Sequence, residues 1–223
     1  MKRFLCLFLI IIMLFGFAGC FDDKEVNDDD VRGNITTAKP DENESEFSLG
    51  GVTNNNYKND FLGINCSLPS DWTFLSEEEI LDINNIVKDN ASGDFAEQLK
   101  NASVIYDMFA SAEGGLKNVN VTLEKKDADL IKNINIKDAI ELTFDTIKST
   151  YSEMGYTDVS VNYQKVTVDG KTFDGMRITA KMQGYDFYAV GITFVRGNYL
   201  ASVTVSSAVT DKTSTILNYF NFK

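Results

Sequence analysis

Apolar residues follow two periods along the chain. In NVNVTLEKK (118–126), Val119, Val121 and Leu123 alternate with Asn118, Asn120, Thr122 and Glu124, which predicts a strand with the three apolar residues inward. FLGINCSL (61–68) alternates too, with Leu62, Ile64, Cys66 and Leu68 on one side, and stops at Pro69. WTF at 72–74 reads as a second, short strand. SVIYDMFAS (103–111) is apolar on both parities and β-prone, which predicts a central strand covered on both faces. From 159 onward four strands are punctuated by Asp169-Gly170, Gln183-Gly184 and Arg196-Gly197-Asn198, the turn chemistry of hairpins. The third of them, YDFYAVGITFV, is apolar on both parities and so also reads as central.

The second period is helical. Ile140, Phe144, Ile147, Tyr151 and Met154 are spaced by four, three, four and three residues, which predicts one helix from Asn135 to Met154 ended by Gly155. LSEEEI at 75–80 is a helix start: Ser76 caps, Glu79 closes a capping box, and Leu75 can staple onto Ile80. The stripe continues through Ile83 and Val87, breaks at 90–93, and leaves another turn or two at 94–100. A closing helix over roughly 210–220 would set Ile216, Leu217 and Phe220 on the sheet. The order is two strands, helix, two strands, helix, four meandering strands, helix. Local meanders make antiparallel sheets, and strands without a polar face need cover on both sides. The expected fold is therefore α+β, a three-layer α/β/α sandwich around a mainly antiparallel sheet.

The N-terminal part has neither period. MKR opens the chain, FLCLFLIIIMLF (4–15) carries no charge, and FAGC closes the run at Cys20. A basic start, a short apolar stretch and small residues are the parts of a secretory signal. The apolar stretch is shorter than the roughly 20 residues that span a bilayer, so a slightly short transmembrane anchor is the lesser alternative. Ala18, Gly19 and Cys20 resemble the bacterial lipobox, with Phe17 where Leu is usual. The resemblance implies diacylglycerol on the Cys20 sulfur and cleavage before it, leaving 1–19 as signal peptide. A plain signal with an incidental cysteine is the other reading. Two or more acyl chains hold a protein stably, at about 0.8 kcal/mol per buried methylene. Residues 20–60 then form an acidic tether. Its 21–60 portion holds eleven acids against four bases, with too little apolar surface to offset ordering, so it is expected to be a disordered stalk. The domain is expected over 61–223.

Charge and cysteine content narrow the function. Removing Lys2 and Arg3 with the signal leaves 19 basic and 33 acidic residues, a net charge of −14. That balance opposes nucleic acid and anionic lipid surfaces. With Cys6 in the signal and Cys20 acylated, Cys66 has no intramolecular disulfide partner, and its apolar parity makes it a small buried hydrophobe. The chain has no histidine, which excludes His-containing triads, His metal sites and His pH switches. No GxSxG, Walker loop, GxGxxG, CxxC or HExxH occurs. No cofactor, metal or catalytic residue is expected.

The stretch YKNDFLGINCSLPSDWTFLSEEE resembles the opening of PsbP-like domains through Tyr57, Phe61, Gly63, Ile64, Pro69 and Trp72, with Asp71 where Gly is frequent. The long helix followed by meandering strands fits as well. The resemblance, over about 57–223, implies a three-layer sandwich around an antiparallel sheet. It also implies a non-catalytic subunit or partner-binding module with no shared active site.

Three residue sets invite chemistry. Trp72 is a possible ligand platform, though core packing explains it better. Asp107, in an otherwise apolar strand, is either a perturbed carboxylate at a site, or an outward residue at the sheet edge or in a salt bridge. Tyr185, Phe187, Tyr188 and Phe194 either line a pocket or face opposite layers by parity. The leading expectation is a binding or adaptor module on the outer face of the bacterial cytoplasmic membrane. Its partners would be membrane lipid through acylated Cys20 and an unidentified surface protein or wall component, not nucleic acid. The alternatives are a histidine-free carboxylate hydrolase of wall or host glycans, and an accessory subunit of a membrane complex with an exposed apolar patch.

Overall fold

The structure, a computed structural model, describes residues 47–76, 78–80, 83 and 104–223. The signal segment, Cys20, most of the tether and the helical turns expected at 94–100 lie outside the described residues.

The described chain is α+β with two antiparallel sheets. The smaller has the order β1-β2-β3-β11, from β1 (Gly51–Thr53), β2 (Asn56–Asn59), β3 (Ile64–Ser67) and β11 (Phe220–Phe222). The larger has the order β4-β5-β6-β10-β9-β8-β7. Its strands are β4 (Thr73–Phe74), β5 (Val104–Ala112), β6 (Lys117–Lys125), β7 (Tyr156–Val168), β8 (Lys171–Met182), β9 (Tyr185–Arg196) and β10 (Tyr199–Ala208). The meander β7 to β10 and the central place of β9 are as the apolar pattern predicts. Asp169 and Gln183 take φ of 49° and 52° ahead of glycines at 72° and 85°, the geometry a two-residue hairpin needs for matching strand twist. β5 is less central than expected: its outer neighbour, β4, pairs with it only at Ser111 and Ala110.

Each face of the large sheet has its own core. On one face Val119, Val121, Leu123, Ile192, Val203 and Val205 pack against the small sheet and its aromatic residues, including Tyr57 and Phe220. The helix α4 (Thr213–Leu217) adds Ile216 and Leu217 to this core. On the other face α2 (Ile136–Leu142) and α3 (Phe144–Glu153) set Ile140, Ile147 and Tyr151 on Ile178, Phe187 and Leu200. The layers are thus helices, large sheet, and a small sheet joined by α4. The second outer layer was expected to be helical. The closing helix is instead five residues long, because the chain extends at Phe220 to pair with β3.

Two other boundaries differ. The domain begins before 61: β1 and β2 turn through Asn54 and Asn55, at φ of 49° and 57°, and Tyr57 and Asn59 are each 1% exposed. The stalk expected up to residue 60 therefore stops short of β1: the stretch is polar in composition, and two buried side chains among many amides leave little hydrophobic signal. The long helix divides at Thr143, whose hydroxyl donates to the Ile140 carbonyl at 2.7 Å and competes with the regular ladder. A short helix, α1 (Ala128–Asn133), precedes α2 and buries none of its side chains, which is why no apolar stripe announces it.

Phe47 packs onto the domain. Its ring stacks on Tyr199 (4.7 Å between centroids) and meets Phe61 edge-on at 5.4 Å. Gly63 has φ 68°, which accounts for glycine in the Gly63-Ile64 pair.

Cys66 is fully buried in the first core, and burial pushes its thiol up to about 12. Native protein should therefore resist thiol reagents at neutral pH and react fully once unfolded in urea, as mass spectrometry after timed alkylation would report. Fast native labelling would contradict the packing. Burial also raises the hydroxyl pKa values of Tyr57, Tyr106, Tyr151 and Tyr156 above the ordinary value, and the charge of Asp107 adds to the effect at Tyr57. The unfolded chain ionises its tyrosines near pH 10, roughly, while the folded chain keeps these four protonated. The stabilisation is complete below that pH and is lost as pH rises above it. Urea midpoints should fall steeply above about pH 10, with delayed tyrosinate absorbance appearing together with unfolding.

Candidate functional site

Asp107 is the extra residue of a β-bulge. Tyr106 pairs with Thr122 and Met108 with Val121, so β5 spends one more residue than β6 between these pairs. The bulge turns Tyr106 and Phe109 to one face and Met108 and Ala110 to the other. It also aims the Asp107 carboxylate away from the ladder. Four hydrogen bonds from three residues meet it there. The Gly50 backbone N–H donates to Oδ1 at 2.8 Å and Oδ2 at 3.1 Å, the Asn59 amide donates at 2.7 Å, and the Tyr57 hydroxyl makes a short bond. Asn59 in turn accepts from the Leu62 backbone N–H at 2.7 Å. Asp107 is neither at the sheet edge, since β4 lies outside β5, nor in a salt bridge among the described residues: the neutral donors of Gly50, Tyr57 and Asn59 hold it.

Gly50 fits this junction for lack of a side chain. A Cβ there would come within 2.8 Å of the Tyr57 ring and 2.9 Å of Asp107 Oδ2.

A cleft of about 630 Å³ opens beside the bulge. Leu49 to Val52 form one wall, Phe74 to Ser76 with Glu79 and Ile80 another, and Tyr106 to Phe109 the floor. The capping box read from the sequence builds part of it: Glu79 accepts from the Ser76 N–H at 2.8 Å and hydroxyl at 2.9 Å, and the Glu79 N–H donates back at 3.3 Å. The cleft therefore carries two carboxylates, Glu79 and Asp107, both engaged by neighbouring donors.

The other candidates disperse. Trp72 is 5% exposed and lies in the first core. Phe187 packs with Tyr151 and Tyr156, whereas Phe194 packs with Phe173 and Phe222 on the opposite face. Tyr188 lies under Arg177 at 5.7 Å, and Tyr185 is 63% exposed. Parity sorts the aromatics as expected, with Phe187 and Phe194 in opposite layers. Among the described residues, no three His, Cys, Asp or Glu side chains are grouped to hold a metal ion, and no helix is long and apolar enough to cross a membrane. Cys20 lies outside the described residues.

Sequence reasoning missed how much of the polar side of β6 is buried. Asn118, Asn120 and Thr122 are at most 4% exposed, as are Ser202, Thr204 and Ser206 across β10. Alternation points Val119, Val121 and Leu123 inward and says nothing of what covers the other side.

No protein-family model and no curated protein matches the chain. Among solved structures it is similar to LpqN, described as involved in cell envelope biogenesis of Mycobacterium tuberculosis. The TM-score is 0.37 and identity is 11%, over 70% of this chain and 76% of that one. A likeness this low transfers neither fold nor function, and both rest here on the chain's own residues.

Replacing Asp107 by Ala should leave the buried Tyr57 hydroxyl and Asn59 amide without their acceptor, at about 1–3 kcal/mol for each orphaned group. The expected loss in urea unfolding is about 2–5 kcal/mol, with Gly50→Ala destabilising through the clash instead. A loss under about 0.5 kcal/mol in Asp107→Ala would show that the junction is not energetically coupled.

Proposed function

We propose that the chain is a non-catalytic binding module of PsbP-like type, held outside the bacterial cytoplasmic membrane by acylated Cys20. The observation that carries this reading is the cleft at the Asp107 junction. Its floor and one wall are joined by hydrogen bonds before any ligand arrives, so little conformational entropy is left to lose on binding. Its two acids already serve neighbouring backbone and side-chain donors, which suits a fixed wall better than a proton-transfer pair. The buried Tyr57, Ile64 and Trp72 and the positive φ of Gly63 support the PsbP-like reading of the opening motif. The lipobox at Ala18, Gly19 and Cys20 supports the anchor.

One observation favours the accessory-subunit alternative. Leu116, Tyr185 and Val209 are 41%, 63% and 53% exposed. The Val209 N–H donates to the Asp186 carbonyl at 2.7 Å, and the Ala208 N–H to the Leu116 carbonyl at 2.9 Å, so all three gather at one end of the large sheet. Val209 holds φ 68°, a costly conformation for a β-branched residue. This end lies at the opposite end of β10 from Tyr199, on which Phe47 stacks, roughly 30 Å away along the strand.

Crosslinking in living cells, with the full-length lipoprotein as bait and Cys20→Ala as the released control, tests the proposal. One membrane or wall component should be enriched reproducibly over the control. Unaltered membrane association of the Cys20→Ala protein would refute the lipid anchor. Hydrolysis of wall glycan by the wild type, abolished in Glu79→Gln, would return the carboxylate hydrolase.

A further inference from the structure

The sheet edges of the described chain are unequal. β1 and β11 bound the small sheet with three residues each, and β4 bounds the large sheet with two. β7, the other edge of the large sheet, runs for 13 residues and pairs on one side, with β8. No other backbone hydrogen bond reaches residues 160–168 among the described residues. An edge strand offers a row of N–H and C=O groups to any further strand, and proteins blunt such edges with proline, charge, bulges or brevity. β7 uses these devices little. It has no proline, and its bulge lies at its first end, between Thr157 and Ser160. Its charged residues are Asp158 and Lys165, each already near an opposite charge, Lys181 at 3.9 Å and Asp174 at 2.7 Å. The stretch between them, 159–164, is uncharged in a chain with 33 acidic and 21 basic residues.

Both faces of β7 are fixed. Val161 belongs to the helix-side core and Val168 to the core under the small sheet, so the strand is held extended before anything meets its edge. We infer that β7 pairs with β7 of a second copy of this chain, antiparallel about a two-fold axis normal to the sheet and centred on Asn162. Such an axis keeps each face of the sheet on its own side, so facing residues share parity and one residue faces its own copy. Centring on Asn162 sets Ser160 opposite Gln164, and the exposed Asn162 opposite itself. Asn162 gives one amide hydrogen to the Ser160 hydroxyl at 2.9 Å. A carboxamide keeps a second donor and its acceptor oxygen for the facing copy, so the pair is self-complementary. On the other face Val161 meets Tyr163, a favourable cross-strand pair, and Val159 meets Lys165 with Asp158 beside it. Unlike charges therefore adjoin across the axis, whereas centring on Lys165 would set like charges face to face. Pairing of this kind also consumes both long edges. The joined sheet ends on the two-residue β4 at either side, so assembly stops at two copies. The net charge of each copy opposes the approach, and salt should strengthen the dimer by screening it.

Full-length protein in intact membranes, carrying Ser160→Cys, Asn162→Cys or Thr167→Cys and treated with a short bis-maleimide, tests the pairing. Cys66 is buried, and the wild type sets the background. Covalent dimer should peak at Asn162→Cys and fall several-fold at the other two positions, whose copies lie farther apart across the axis. A flat profile, or no dimer above background, overturns the inference. Sedimentation of detergent-solubilised full-length protein gives a second readout. Asn162→Asp and Asn162→Lys alter an exposed residue, so the melting temperature should hold, while each raises the dimer Kd about tenfold by setting like charges opposite one another. Mixing the two variants should restore the dimer. Weakening by one sign alone, or no rescue on mixing, overturns the two-fold pairing and assigns the edge to the strand of a different protein.

Discussion

Two sheets of unequal size must share one core, and the bulge at Asp107 is where the chain joins them. An antiparallel ladder sends alternate side chains to opposite faces, so a carboxylate inside β5 would ordinarily face either the core or solvent. The extra residue removes Asp107 from that alternation and gives it to Gly50, Tyr57 and Asn59. Gly50 sits just before β1, and Tyr57 and Asn59 lie within β2, so one side chain ties the small sheet to the large one. The same residue shifts Tyr106 and Phe109 to the face that carries the buried polar residues of β6. The small sheet's position, the cleft and the facing of β5 therefore share one cause.

The large sheet is asymmetric in a way its fold does not demand. One face is built of Val, Ile and Leu packed on the small sheet, as hydrophobic burial requires. The other is apolar under α2 and α3 but changes to Asn, Thr and Ser on β6 and β10. Burial of apolar surface stabilises without direction, whereas a buried amide needs a partner at a set distance and angle. A polar band inside a sheet is thus more exacting than an apolar one.

Much of the fold was legible along the chain because hydrophobic periods are local. Val119, Val121 and Leu123 announce β6, the Asp-Gly and Gln-Gly pairs announce two hairpins, and Ser76 with Glu79 forms the capping box their spacing predicts. The misses share a physical origin. β11 forms because Phe220 and Phe222 complete the small sheet opposite Cys66 and Ile64, more than 150 residues earlier, and the helical spacing of Ile216 and Leu217 conceals it. β1 and β2 lie in an acidic, amide-rich stretch where Tyr57 is the one strong apolar signal.

The sequence by itself determined the α+β class, the order of the meander, the burial of Cys66 and Trp72, and the exclusion of histidine chemistry. These follow from composition or from contacts within a few turns, where side-chain periodicity is set by backbone geometry. Tertiary structure decided that Asp107 serves neighbouring donors rather than a cation, that Glu79 shares its cleft, and that Asn120, Thr204 and Ser206 are buried together. Each depends on which distant strands meet and on which face is covered, and alternation records only that two faces differ, not what lies against either of them.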